Sequence, residues 1–284
     1  MIRLRSLGDC VLTTPALFLL KRHRPDLKIS VIVEPRFAEI FAGNPDVDET
    51  RDAMTRADLV LNLHGGTRSM VLTALSRAKI RTGFAHHRYS FVYSESIPTA
   101  QQILGVSRRV HTAEHLATAM FWLGVPREQI PRAKLFVTAP SAERRPYAVI
   151  HPFASAPGKA WPAERFIELA RRLDLEPVFL AGPGDDLNPF EKFQTSRGSL
   201  SLTKSLLSGA SLFIGNDSGP AHIAAAFGVP VVVLFGPSDP VTWAPWRTES
   251  QVLTAADLKD ISADRVMSAV ESLIPARSYE KARP

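Results

Sequence analysis

The stretch "FIGNDSGPAHIAAAFGVPVVVLFGPSDP", residues 213–240, holds two apolar runs separated by a short alanine-rich segment. Runs of β-branched and aromatic residues are typical of parallel strands buried on both faces. Pro220 stands at the start of the alanine-rich segment, where a helix tolerates a residue without an N–H. The order strand, small-residue turn, helix, strand is that of a βαβ unit, and it predicts an α/β fold with a parallel sheet.

The same alternation continues along the chain in two blocks. The first block has predicted strands at 1–4, 28–34, 58–64 and 79–84 and predicted helices at 12–23, 36–42, 67–77 and 112–123. The second has predicted strands at 147–151, 177–181, 211–215 and 230–235 and predicted helices at 162–173, about 186–195, 203–208, 220–227 and 264–274.

The segment between the blocks, residues 138–146, is polar and bounded by prolines, which is typical of a linker. We therefore predict two doubly wound, Rossmann-like domains, residues 1–140 and 141–284, that face each other across a cleft. The final helix is a candidate to pack back on the N-terminal domain. Ligands of such sheets bind outside the carboxyl ends of the strands.

Composition narrows the class of protein. The 284 residues are 45% hydrophobic, enough for two cores. The chain has no apolar run long enough to span a membrane, and its first residues lack the apolar core of a signal peptide, so we expect a cytoplasmic protein. Cys10 is the only cysteine, which excludes an internal disulfide and a zinc site built on cysteines.

The charge predicts anionic partners. A formal charge of +6 and a pI near 9.7 suit nucleic acid, a phospholipid surface or a phosphorylated substrate. The basic residues occur in short scattered groups, and the chain has no recognisable nucleic-acid motif. We therefore expect a phosphorylated substrate or a membrane surface and no nucleic acid.

The turn inside residues 213–240 is a candidate anion site. The backbone N–H groups at a helix start lack intrahelical partners, and small residues let a phosphate approach them. Asp217, Ser218 and Gly219 form the turn, and His222 follows in the first helical turn, where it can add a donor. The alternative is that Asp217 and Ser218 only cap the helix and that His222 is a surface residue.

Two further strand-end loops of the second block carry charged residues. The loop in "HPFASAPGKAWPAERF", residues 151–166, contains Lys159, whose ammonium suits a phosphate. In "AGPGDD", residues 181–186, Asp185 or Asp186 could accept both hydroxyls of a ribose. The alternatives are a solvated lysine and a helix cap.

The first block opens with "RLRSLGDCVLTTPAL", residues 3–17, which places Asp9 at a glycine turn before a helix. The local pattern fits helix capping as well as catalysis. Arg68, in the strand-end segment 63–69, can meet an anionic acceptor or be an ordinary surface arginine. The histidines of "HTAEH", residues 111–115, have the spacing of metal ligands but not the glutamate position of an HExxH site, so an exposed helix face is predicted.

Taken together, residues 3–17, 151–166 and 215–240 resemble the motifs of glycosyltransferase family 9, the heptosyltransferases of the lipopolysaccharide inner core. The resemblance implies a GT-B fold and an inverting, metal-independent sugar transfer that needs no cofactor. It also implies a nucleotide sugar, ADP-heptose, held by the C-terminal domain, and Asp9 as the general base. The residues implied around the donor diphosphate are Ser155, Lys159, Asp217, Ser218, Gly219 and His222.

For the nucleoside the family usually has a glutamate, whereas this chain offers Asp185 and Asp186. The segment "RGSLSLTKSLLSGA", residues 197–210, leaves little room for the short strand that is usual there. The expected acceptor is an anionic, lipid-linked glycan bound by the N-terminal domain through Arg68, with the protein peripheral on the inner membrane. Two alternatives stay open: a GT-B sugar-nucleotide epimerase or hydrolase, and a nucleotide-sugar-binding protein without catalysis.

Overall fold

The computed structural model describes residues 1–138 and 146–274 and divides into two units, residues 1–136 and 137–284. The sequence interpretation placed the boundary at 140/141, and residues 139–145 of the predicted linker lie outside the described residues. Across the described parts of the chain, every helix is too short or too polar to cross a bilayer.

The N-terminal unit has two small parallel sheets, β1-β2 and β3-β4-β5. Its elements are α1 (Leu7–His23), β1 (Ser30–Ile32), β2 (Glu49–Arg51), β3 (Leu59–Asn62), α2 (Thr67–Leu75), β4 (Ile80–Phe84), β5 (Glu95–Ile97), α3 (Ala100–Leu104) and α4 (Thr112–Trp122). Short 3₁₀ turns occur at Pro35–Ile40 and Ser90–Val92. The predicted helix at 36–42 is therefore a 3₁₀ turn.

The predicted strand at residues 1–4 is reduced to a bridge at Ile2. This residue pairs in parallel with Ile32 of β1 and Asn62 of β3, so the start of the chain lies between the two small sheets. Its backbone N–H donates to the carbonyl of Leu61 at 2.8 Å, and its carbonyl accepts from the N–H of Leu63 at 3.1 Å. Ile2 thus takes the central position expected of a first strand, although a full strand does not form.

The C-terminal unit is a six-stranded parallel sheet in the order β11-β10-β9-β6-β7-β8. Its elements are β6 (Tyr147–His151), α5 (Ala163–Ala170), β7 (Glu176–Ala181), β8 (Gln194–Arg197), α6 (Leu200–Ser208), β9 (Leu212–Asn216), α7 (Gly219–Phe227), β10 (Val231–Phe235), α8 (Pro240–Trp243), β11 (Ser250–Thr254) and α9 (Ala263–Leu273). The chain order switches direction beside β6, where β9 pairs on one side and β7 on the other. Such a switch point is where ligands of open α/β sheets bind.

Three expectations for this unit are wrong. The predicted helix at 186–195 is a 3₁₀ turn, Asn188–Phe190, followed by strand β8. The chain therefore has room for the short strand that the segment before β9 was expected to lack. Strand β11 occupies a region predicted as a polar loop.

Helix α9 packs against α5, β10 and β11 of its own unit. Its buried residues Ala263, Val266 and Val270 belong to the same core as Trp161 and Phe166. This apolar face is what holds the helix on the C-terminal sheet.

Candidate active site

The loops after β6, β9 and β10 meet at the carboxyl edge of the C-terminal sheet. Strand β9 is the centre, because its last residues pair with both neighbours: Gly215 with His151 of β6, and Asn216 with Leu234 of β10. Gly215 leaves no room for a side chain, since a Cβ there would lie 2.8 Å from the carbonyl oxygen of His151. The close spacing brings the three loops together.

Asn216, fully buried at the end of β9, ties the loop after β6 to the sheet. Its Oδ1 accepts the backbone N–H of Trp161 at 3.0 Å, and its Nδ2 donates to the carbonyl of Pro152 at 2.8 Å. The indole N–H of Trp161 donates in turn to the carbonyl of Ile261 at 2.9 Å. Both ends of the loop that carries Ser155 and Lys159 are therefore fixed. Sequence reasoning missed Asn216, although a polar residue directly after an apolar strand was the available signal.

Lys159 lies beside the turn before helix α7. Its Nζ is 3.6 Å from Oδ2 of Asp217, with the lysine side chain about one-third exposed and the aspartate mostly covered. On the other side, a Cβ at Gly236 would come within 3.1 Å of the carbonyl oxygen of Gly158, so the loop after β10 also contacts the lysine loop. The structure thus brings Lys159 and Asp217 together, while Ser155 is exposed in the same loop.

The start of helix α7 has features of an anion site. Ser218 is the N-cap residue, yet its side chain makes no capping hydrogen bond. Its Oγ is buried and has no hydrogen-bond partner within the described part of the chain. His222 is buried in the first turn, so the alternative that made it a surface residue is wrong. Gly219 and Pro220 begin the helix, and Gly228, with φ of 80°, ends it in the left-handed conformation that glycine favours.

The N–H of Asp217 is already used, because it donates to the carbonyl of Leu234 at 3.0 Å. The part of Asp217 that remains for the site is its carboxylate, and this group faces Lys159. A carboxylate repels phosphate, so the geometry makes Asp217 a partner that orients the lysine. It is not itself a donor to an anion.

Asp185 and Asp186 follow β7, the neighbour of β6 on the other side. Oδ2 of Asp185 accepts the N–H of Gly182 at 2.7 Å, and Oδ1 of Asp186 accepts the N–H of Asn188 at 3.0 Å. Arg197 of β8 donates to the carbonyl of Asp185. One oxygen of each carboxylate is thus engaged within the turn, although the N-cap residue of the following 3₁₀ turn is Leu187. The sheet order places both aspartates beside the lysine loop.

In the N-terminal unit, Asp9 is in the first turn of helix α1, which begins at Leu7 and not at residue 12 as expected. Ser6 is the N-cap residue, and Oδ2 of Asp9 accepts its N–H at 3.3 Å and its hydroxyl at 3.0 Å. Asp9 therefore sits at the third helical position of a capping box and is not the cap itself. Its side chain is 20% exposed, which leaves it reachable from solvent.

Arg3 is the ionic partner of Asp9. Nη1 of this buried arginine lies 3.4 Å from Oδ1 of Asp9, and its Nε is buried without a hydrogen-bond partner among residues 1–138 and 146–274. Sequence reasoning did not single out Arg3. The pair fixes the carboxylate of Asp9 beside a buried cation.

The end of β3 lies next to this pair. Asn62, fully buried, accepts the N–H groups of His64 and Gly65 at 3.0 and 3.1 Å and donates to Oγ1 of Thr73 at 3.0 Å. Burial lowers the pKa of His64, and the charges of Arg3 and Arg5 lower it further. His64 is therefore close to the Arg3–Asp9 pair, and the polar side chains of two strand ends share one edge of the N-terminal unit.

The prediction of an exposed face for residues 111–115 is wrong. His111 is buried and caps helix α4, its Nδ1 accepting the N–H of Ala113 at 3.1 Å. The ring of His115 stacks on Phe84 with centroids 4.0 Å apart. Burial lowers the pKa of His115 to about 4 and that of His87 to about 3. His87 and His115 are packed side chains whose neutral form is favoured by burial.

Arg68 is on the first turn of α2, directly after the loop that Asn62 holds. Its guanidinium is more than half exposed and lies 3.7 Å from Oε1 of Glu34. In the described residues, no group of three or more histidine, cysteine, aspartate or glutamate side chains is arranged to hold a metal ion. Cys10 is buried, and desolvation raises its pKa to about 12, so it is not a nucleophile.

Comparison with known proteins adds the family. Residues 53–271 match the profile of "Glycosyltransferase family 9 (heptosyltransferase)". Lipopolysaccharide heptosyltransferase 3 of Escherichia coli K12 is 26% identical in an alignment of 333 positions, gaps included, that covers 96% of each chain.

Solved structures share the fold. A glycosyl transferase family 9 protein from Veillonella parvula superposes with a TM-score of 0.84 at 23% identity, over 96% of this chain and 95% of that one. E. coli heptosyltransferase WaaC with ADP superposes with a TM-score of 0.81 at 19% identity, over 96% and 98%. The profile match covers most of the chain, and the two parallel α/β units agree with the GT-B architecture of these neighbours. The chain belongs to glycosyltransferase family 9 and is a glycosyltransferase with a GT-B fold.

Proposed function

We propose that the protein is an inverting, metal-independent heptosyltransferase that moves heptose from ADP-heptose to the lipopolysaccharide core. The observation that carries the donor half is the site at the start of α7. There a lysine, a buried unpaired hydroxyl and a helix N-terminus meet at the switch point of the sheet. The names of the relatives, lipopolysaccharide heptosyltransferases, support the choice of sugar and acceptor.

In this proposal the C-terminal domain holds the donor. Lys159, the Ser218 hydroxyl, the N–H of Gly219 and His222 contact the diphosphate, with Ser155 at its edge. Asp217 orients Lys159 through their 3.6 Å ion pair. When the donor binds, the ammonium of Lys159 pairs with the more highly charged diphosphate instead. Asp185 or Asp186 accepts the ribose hydroxyls through the carboxylate oxygen that the turn leaves unused.

Asp9 is the proposed general base. It takes the proton from an acceptor hydroxyl, whose oxygen attacks the anomeric carbon from the face opposite the diphosphate, so the configuration inverts. The bond between the anomeric carbon and the phosphate oxygen breaks, and its electrons stay on the departing ADP. The cationic and N–H groups of the diphosphate site stabilise that charge as it develops, which a bound metal would otherwise do.

The N-terminal domain is the proposed acceptor domain. Arg68, exposed beside the loop after β3, offers a bidentate donor set for a phosphate or carboxylate of an anionic, lipid-linked glycan. Glu34 competes for it only weakly, because that pair is long and Glu34 also pairs with Arg36 at 2.8 Å. We propose that the enzyme works as a peripheral protein on the inner face of the cytoplasmic membrane, where such an acceptor is anchored.

The test is transfer itself. The purified protein is incubated with ADP-heptose and a lipopolysaccharide acceptor that lacks core heptose, and the acceptor is examined by mass spectrometry while ADP is quantified. We expect the acceptor to gain one heptose for each ADP released, and UDP-glucose and GDP-mannose to give no product. Release of ADP without a change in acceptor mass would instead identify a hydrolase.

A further inference from the structure

The outer face of helix α2 presents apolar side chains to solvent. Val71 and Leu75, one turn apart, are 43% and 70% exposed. The opposite face is fixed inward, because Ser69 and Thr73 are fully buried and Thr73 accepts a hydrogen bond from Asn62. The helix therefore cannot rotate these apolar side chains into the core.

An exposed aromatic group continues this face at the start of the helix. The hydroxyl of Tyr89 lies 3.1 Å from Oγ1 of Thr67, the first residue of α2. The ring of Phe91 packs edge-on against Tyr89 with centroids 6.3 Å apart, and Phe91 is 77% exposed, the largest value among the large apolar side chains described. The guanidinium of Arg88 lies over the ring of Tyr89, 5.4 Å from its centroid. Helix α2 and the turn Ser90–Val92 thus form one surface.

The chain segment that forms this surface carries charges of one sign, although Glu34 from another segment lies 3.7 Å from Arg68. Between Leu59 and Ser94 the chain contains Arg68, Arg77, Lys79, Arg81 and Arg88 and no aspartate or glutamate. Arg77 and Lys79 directly follow the end of α2 and are exposed, as is Arg88 at the other end. An apolar patch flanked by exposed cations at both ends is the chemistry that binds an anionic lipid interface: the apolar side chains enter the headgroup boundary and the cations pair with phosphates.

We propose that this α2 surface, formed by Val71, Leu75 and Phe91 with Arg77, Lys79 and Arg88, docks the protein on an anionic lipid bilayer. The proposal rests on the proposed function in one respect: docking would bring the enzyme to a lipid-anchored acceptor. Arg68 is on the same helix, so a docked α2 would place the proposed acceptor residue at the membrane surface. Docking itself requires neither donor nor transfer.

The test is co-sedimentation of the full chain with vesicles. We expect binding to vesicles of phosphatidylethanolamine and phosphatidylglycerol, weakening with salt, and little binding to phosphatidylcholine alone. The triple variant Val71→Ser, Leu75→Ser, Phe91→Ser should lower the partition coefficient at least about tenfold. The double variant Arg77→Gln, Lys79→Gln should lower it about tenfold or more on the anionic vesicles.

The matched control is the pair Leu202→Ser, Val241→Ser, which removes side chains 59% and 53% exposed on the C-terminal unit. It should bind vesicles like the unaltered protein. The melting temperature and the ADP affinity of each variant show whether it is folded. If the triple variant is unstable, the single variant Phe91→Ser is tested in its place, because the ring of Phe91 is mostly in solvent.

Unchanged vesicle binding by the triple variant would overturn the proposal. A second result would also overturn it: the unaltered protein does not bind vesicles, and light scattering shows that it is a dimer which the triple variant disrupts. The surface would then be an interface between two copies of the chain. Turnover with a detergent-dispersed acceptor should be unaffected by the triple variant. Absence of transfer together with intact vesicle binding would refute the proposed function and leave the docking surface standing.

Discussion

At the scale of single residues, a buried asparagine organises the strand-end loops in each unit. Asn62 ends β3 and holds the loop that leads to Arg68, and Asn216 ends β9 and holds the loop that carries Lys159. In both, the amide oxygen accepts backbone N–H groups and the amide nitrogen donates. The motifs pointed to charged residues as candidates for the site, but not to these asparagines, because a polar residue after a strand is as common in an ordinary turn.

Lys159→Ala should weaken ADP binding by about 1.5–3 kcal/mol, the range for a charge-assisted contact. Isothermal titration calorimetry measures it. The control Lys192→Ala removes an exposed lysine of the same unit and should leave the affinity unchanged. Equal affinities for the unaltered protein and the Lys159 variant would remove the lysine from the diphosphate site.

Asn216→Ala should lower the free energy of unfolding by about 2–4 kcal/mol, because the N–H of Trp161 and the carbonyl of Pro152 lose their partner in a buried site. It should also weaken ADP binding, since the lysine loop is released. Asn62→Ala is the matched control: we expect a similar loss of stability in urea unfolding with unchanged ADP affinity. If both variants bind ADP normally, Asn216 serves stability alone.

At the scale of elements, the apolar strands were predictable and the polar ones were not. Strands β6 and β10 fall where the β-branched runs predicted them. Strands β2 and β8 lie at sheet edges and carry polar, exposed residues, so they lack the apolar pattern that marks a strand. The helix predicted at 186–195 is instead a 3₁₀ turn at Asn188–Phe190 that leads into β8, and Pro189 lies inside it.

The contact between β4 and α4 predicts a pH dependence. Burial lowers the pKa of His115 to about 4, below the value of the unfolded chain, so protonation favours the unfolded state. The free energy of unfolding should therefore fall as the pH drops from about 7 to about 5, by less than about 1.4 kcal/mol per pH unit for this residue.

His115→Phe keeps a ring on Phe84 and should reduce that dependence in urea unfolding, leaving the part contributed by His87. His23→Phe, at an exposed position near the end of α1, should leave it unchanged. A variant at position 115 with the full pH dependence of the unaltered protein would assign the effect to other groups.

At the scale of the whole molecule, the motifs predicted the α/β class of fold, and the two C-terminal motifs predicted the edge of the C-terminal sheet, because each places small and charged residues directly after an apolar strand. The packing of the N-terminal unit could not be predicted in the same way. His87 and His115 come from segments distant from Arg3 in sequence, and only folding of the unit brings them near it. The exposure of Val71 and Leu75 on α2 could not be predicted from the sequence either, since apolar helix residues are expected in the core.

The proposed metal independence would be a property of the whole catalytic assembly. In the proposed mechanism Lys159, His222 and the start of α7 neutralise the leaving diphosphate, so transfer should continue in excess EDTA at an unchanged rate. The measurement is the initial rate before and after chelation, with a magnesium-dependent glycosyltransferase as the positive control. Loss of activity that added divalent ions restore would show that a metal takes part.

The most direct test of the account is the turnover of Asp9→Asn with ADP-heptose and the heptose-free acceptor. The amide can still accept the N–H of Ser6 but cannot take a proton from the acceptor, so we predict a fall in kcat of roughly 10²–10⁴. ADP affinity should be unchanged, while the melting temperature should fall by a few degrees because the buried Arg3 loses its partner. Near-normal kcat in this variant would contradict the account and leave Asp9 with only its place in the capping box of α1.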